Sequence, residues 1–119
     1  MNKRTIVDFD FADDAWTTLD RWAEENSYRK KEADESRRLY QKGVGFLVAP
    51  MMLEIAKDGK RVHLEAWVRA NLFVRMLAFF LIPAEMGIES GGFRMAVPRK
   101  MARKAINKLL EKLGQPAIA

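Results

Sequence analysis

The chain has 119 residues, 49% of them hydrophobic and 31% charged, with a net charge of +5 and no cysteine. That balance belongs to a chain that buries a core, not to a disordered one, and the length is that of a single domain spanning 1–119. Disulfides and thiolate metal sites are excluded.

The charge is unevenly placed. Residues 1–59 carry 10 Lys/Arg against 12 Asp/Glu, whereas residues 60–119 carry 11 against 4. An anionic partner is therefore expected at the C-terminal half. The opening stretch MNKRTIVDFDFADD has two basic residues but no apolar run behind them. No signal peptide is expected, and the expected location is cytoplasmic.

Thr5 to Phe11 alternates Val7, Phe9 and Phe11 with Asp8 and Asp10, the period of a strand. Asp13 or Asp14 then caps a helix reaching about Asn26. Trp16, Leu19, Trp22 and Ala23 fall on one face of it, and Asn26 suits the left-handed residue that ends it. Tyr28–Glu32 and Arg37–Lys42 flank the polar EADES turn and read as a charged, solvent-facing hairpin at a sheet edge.

Asp58-Gly59 is the strongest turn signal in the chain. Taken as the two central residues of a type I′ loop, it sets Ile55 opposite Val62, Leu53 opposite Leu64 and Met51 opposite Ala66. All six are apolar and share one face. On the other face this register sets Glu54 across from His63, with Arg61 and Glu65 beside them.

Every even position from Val62 to Ile82 is apolar, while the odd positions His63 to Arg75 are mostly polar or charged. A strand of that length far exceeds the roughly 3–10 residues usual in globular sheets. A break is expected near Arg69–Asn71, and Pro83 closes the segment. Its nearly apolar part, residues 72–82, falls short of the roughly 20 residues a spanning helix needs, so no transmembrane span is expected. Farther on, Phe93, Met95 and Val97 alternate as a short strand. Pro98 stands where a last helix should begin, and Gly114 where it should end. Met101, Ala102, Ala105, Ile106, Leu109, Leu110 and Leu113 form the apolar stripe of that helix.

Three constellations are candidates for function. The last helix carries Arg99, Lys100, Arg103, Lys104, Lys108 and Lys112 on its polar side, with Arg94 just ahead of it. A cationic stripe of this kind suits phosphates or anionic lipid, provided the apolar stripe stays in the core. The second set is Glu54, His63, Glu65, Trp67, Arg69 and Arg75, a ligand or catalytic pocket if the sheet face is concave. Cross-strand pairing on an exposed face explains these residues more simply. Third, Ser90-Gly91-Gly92 and Gly43-Val44-Gly45 match no phosphate-binding motif and are read as turns, while Glu85 and Glu89 are expected to pair with nearby arginines. The single histidine has no cysteine beside it, so no metal site, catalytic residue or cofactor is assigned.

Together these elements predict an α+β fold. Its mainly antiparallel sheet has two amphipathic helices on one face, in the order β-α-β-β-β-β-β-α. The expected function is that of a non-catalytic binding module. Its basic helix meets an anionic partner, with an anionic membrane surface favoured over nucleic acid because Phe79, Phe80 and Leu81 suit an interface. The alternatives are a small-ligand or enzymatic site around His63, Glu65 and Arg69, and a structural subunit that buries residues 70–82 in a homo-oligomer or against a protein partner.

Overall fold

In the computed structural model the chain forms β1 (Thr5–Asp10), α1 (Ala15–Glu25), β2 (Arg29–Ala33), β3 (Arg37–Lys42), β4 (Met51–Asp58), β5 (Arg61–Arg69), β6 (Glu85–Met86) and α2 (Ala96–Lys112). It describes residues 3–43, 50–69, 85–90 and 96–119. The strands make one antiparallel sheet in the order β1-β5-β4-β3-β2. β6 pairs with the far end of β5, setting Met86 against Val68 and Glu85 against Arg69. The expected α+β architecture and element order are therefore present, with α1 and α2 on one face of the sheet.

The β4–β5 hairpin forms where expected but in another register. Asp58 faces Arg61, so the loop is Gly59-Lys60 rather than Asp58-Gly59. Gly59 has φ +61° and Lys60 has no positive φ, the pattern of a type II′ loop, which needs glycine only at its first position. The pairs are consequently Ile55 with Leu64, Leu53 with Ala66 and Met51 with Val68. A slip of two residues preserves which side chains share a face, so the apolar set stays in the core. It does change the polar partners: His63 faces Ala56, and Glu54 faces Glu65.

The core unites Leu53, Ile55, Val62, Leu64, Ala66 and Val68 from the central strands with Leu19 and Trp22 from α1 and Ile106, Leu109 and Leu110 from α2. The helices are joined inside it by Trp22, which is fully buried and donates from Nε1 to the Ala105 carbonyl at 2.8 Å. Asp20 ties α1 to the sheet: both its oxygens accept from Arg38 at 2.9 Å, and the Tyr40 hydroxyl donates to it at 2.8 Å. The charged hairpin forms, but only its outer strand is the solvent-facing edge: every residue of β2 is exposed, whereas β3 lies between β2 and β4 with Tyr40 buried, and Tyr28 is buried as well.

Helix ends follow local chemistry. Asp14 accepts from the backbone N–H groups of Trp16 and Thr17 and caps α1. The left-handed residue after it is Ser27 (φ 62°), not Asn26, whose side chain instead donates to the Trp22 carbonyl. Gly114 (φ +71°) ends α2, with the Gln115 N–H returning to the Leu110 carbonyl at 2.8 Å.

α2 begins at Ala96, two residues ahead of Pro98, which its first turn tolerates because those N–H groups have no helical acceptor. Val97 thus belongs to α2, while Phe93 and Met95, the rest of the expected alternation, lie outside the described residues, among which β6 is the last strand. Met101 was expected in the buried stripe but is 45% exposed. It sits about a third of a turn from the centre of that stripe. Residues 70–82, both glycine motifs in part, and Arg75 and Arg94 also lie outside the described residues.

Candidate functional site

The cations of α2 divide by residue type. Arg99 and Arg103, one turn apart, face the segment that follows β6. Arg99 donates from Nε to the Gly87 carbonyl at 2.8 Å and from Nη2 to the Glu89 carbonyl at 2.7 Å, while Arg103 donates to the Ile88 carbonyl at 3.1 Å. A planar guanidinium with several fixed donors suits three successive carbonyls better than an ammonium does. The same segment is held from the other side by Thr5, whose hydroxyl accepts from the Ile88 N–H at 2.8 Å in a buried position. These two arginines therefore brace residues 87–89 against α2.

The lysines point away from that brace. Lys100, Lys104 and Lys108 are exposed, spaced four apart along one side of α2, and have no ion-pair partner among the described residues. At 1.5 Å per residue they span about 12 Å of helix. Lys112 lies 3.6 Å from Glu25 of α1, and Glu111 is the one acid on the helix, at its C-terminal end. Val97 (69% exposed) and Met101 (45% exposed) lie at the N-terminal end of the same side. The opposite side, with Ala102, Ala105, Ile106, Leu109 and Leu110, is buried. α2 thus presents two apolar side chains followed by a row of ammonium groups, on a helix locked to the core by its other face.

The second candidate set is only partly assembled. On the sheet face away from the helices, His63 lies with Nδ1 2.5 Å from an Asp8 oxygen and Nε2 2.8 Å from a Glu65 oxygen. Hydrogen bonds to Asp8 and then Glu65 raise the imidazole pKa above its ordinary 6.5, against a smaller opposing effect of burial. Burial alone would raise the Glu65 carboxyl, but bonds from His63 and Arg4 outweigh it and hold the pKa below the ordinary value.

Arg4 extends the network, with paired 2.9 Å bonds to Glu85, a 3.3 Å bond to Glu65 and its guanidinium carbon 3.6 Å from the centre of the Trp67 ring. Glu54 sits across from Glu65 on the same face but is bonded to Arg37 at 2.6 Å, and Arg69 is exposed at the end of β5. His63, Glu65 and Trp67 are thus brought together through Arg4 and Asp8, which sequence reasoning did not select, and through Glu85, which was expected to pair with an arginine and does so with Arg4.

Chemically this network is closed. Both imidazole nitrogens face carboxylates, which only accept, so the doubly protonated ring satisfies both. A general base needs a free nitrogen aimed at substrate, and neither is free here. The concavity beside His63, about 410 Å³ and lined in part by Ser36, Lys57 and Arg61, is shallow and does not enclose it. Among the described residues, no group of three or more His, Asp or Glu is placed to hold a metal, and no helix is long and apolar enough to cross a membrane.

Compared with known proteins, the chain matches no family model, no curated protein and no solved structure.

Proposed function

We propose that this protein is a non-catalytic binding module whose α2 meets an anionic membrane surface through Lys100, Lys104 and Lys108. One observation carries the choice of partner: Val97 and Met101 are exposed on the same side of α2 as these lysines. Cations alone would suit a nucleic-acid backbone equally well. Apolar side chains beside them favour a lipid interface, where aliphatic atoms leave water while ammonium groups stay at the headgroups.

Magnitudes support a reversible attachment. Three lysines near an anionic leaflet contribute roughly 3 kcal/mol. Partial burial of Val97 and Met101 adds about 1–3 kcal/mol. Ile106, Leu109 and Leu110 stay in the core, so the helix adheres by its outer side without leaving the fold. The reading makes the protein a peripheral component at the cytoplasmic face of a membrane.

Co-sedimentation with phosphatidylcholine vesicles, with and without added phosphatidylserine, tests this. Binding is expected only to the anionic vesicles, and is expected to weaken as salt is raised. The triple variant Lys100→Glu, Lys104→Glu, Lys108→Glu should abolish it with an unchanged far-UV spectrum, and Met101→Ser should weaken it at constant charge. A gel shift with duplex DNA in the same low-salt buffer separates the partners. DNA binding without vesicle binding would reassign the surface to nucleic acid, and binding to neither would refute the reading.

A further inference from the structure

We propose that Asp8, His63 and Glu65 form a pH-sensitive latch that pins the edge strand β1 to β5 when the imidazole carries both protons and releases it when one is lost. The argument starts from position. Among the described residues β1 is at the end of the sheet and pairs with β5 alone, and Asp8 and His63 are direct cross-strand partners in the middle of that pairing. Glu65 is two residues along β5 on the same face, so the ring spans an inter-strand carboxylate on one side and an intra-strand carboxylate on the other.

The chemistry follows from the acceptors. An imidazolium donates to both carboxylates. A neutral ring keeps one N–H and turns its other nitrogen, a bare lone pair, toward a carboxylate oxygen. One of the two contacts then changes from a charge-assisted hydrogen bond to a repulsion.

The surrounding charges favour the latched form. From β1 come Asp8 and Asp10, the latter 3.5 Å from Arg61. From β5 come Arg61 and Glu65. On β4 the residue opposite His63 is the uncharged Ala56, flanked by Asp58 opposite Arg61 and by Glu54, which is bonded to Arg37 of β3. Lys57, which with His63 lines the shallow concavity, alternates to the other sheet face and reaches the Asp13 carbonyl at 3.5 Å. Arg4 faces the far side of Glu65 and is bonded to Glu85, so it serves the carboxylates more than it opposes the ring.

The folded-state pKa of His63 is raised, so the stabilisation is complete below the unfolded value near 6.5 and is lost as pH rises through the higher folded value. The latch is therefore closed in mild acid and opens on the alkaline side.

His63 is the only histidine of the chain, so its ring resonances can be followed by NMR without ambiguity. A titration midpoint above 6.5 is expected, and Asp8→Asn and Glu65→Gln, which retain the ring, should each lower it. Amide exchange within β1, corrected for its intrinsic pH dependence, should accelerate several-fold across that midpoint in the natural protein. It should show no such step in His63→Gln, whose N-terminal amine is unchanged. A midpoint at or below 6.5, or a β1 exchange step that persists in His63→Gln, would overturn the proposal. Should His63→Gln fail to fold, the Asp8→Asn titration decides alone: an unmoved midpoint refutes the latch and a lowered one supports it.

Discussion

Replacing Trp22 with phenylalanine isolates what holds α2 against the rest of the molecule. The indole is fully buried, its Nε1 donates to Ala105 in the middle of α2, and its ring centre lies 4.6 Å from that of Tyr28. Phenylalanine keeps an aromatic ring but removes the donor and about 40 Å³ of volume, worth roughly 1 kcal/mol as a residual cavity. The lost hydrogen bond adds about 1 kcal/mol, since the Ala105 carbonyl keeps its helical partner. The sum is a destabilisation of about 2 kcal/mol, or a fall in Tm of about 8 °C for a chain of this size. Urea titration followed by far-UV circular dichroism should show a lower midpoint at constant slope. A loss below about 0.5 kcal/mol would refute the assigned role, because it would mean that the helices are joined without this contact.

Glycine substitutions should separate backbone strain from crowding. Gly59→Ala meets no atom near its new Cβ but must hold φ +61°, so a cost of roughly 1 kcal/mol in thermal unfolding is expected. Gly87→Ala has no such backbone demand, yet its Cβ would run into the Glu89 carboxylate and crowd the Thr5 hydroxyl. It should disturb the brace between β1 and α2, read as a chemical-shift change at the Ile88 amide, where Gly59→Ala leaves that resonance unmoved. Acid should act through Asp20. Burial pushes its carboxyl up, but the Tyr40 hydroxyl and Arg38 outweigh that and hold it below 3.8. Its stabilisation is present above that value and disappears as pH falls through the lower folded-state pKa. Asp20→Asn should therefore flatten the acid limb of a Tm-versus-pH curve, and an unchanged limb would count against the assignment.

What the sequence made legible was what neighbouring residues decide. The Asp14 cap, the Gly114 terminus, the charged edge and the apolar stripes of both helices depend on residues within a few positions of one another. The β4–β5 hairpin marks the boundary. Asp58-Gly59 and Gly59-Lys60 are both acceptable two-residue loops, and a period of two cannot distinguish them, because either buries the same side chains. The core was therefore readable while the partner of His63 was not. Asp8 reaches His63 only through the β1–β5 pairing, which spans 55 positions and leaves no local trace. Arg4 was overlooked for the same reason, since Trp67 and Glu85 meet it only once the sheet is assembled.

The division of arginines from lysines on α2 bears on how the surface can change over time. Arg99 and Arg103 are committed to carbonyls of their own chain, whereas Lys100, Lys104 and Lys108 have no ion-pair partner among the described residues. Seating and display are thus written in different residues of one helix. The outer row can be acetylated, neutralised or substituted while the inner pair keeps the scaffold unchanged.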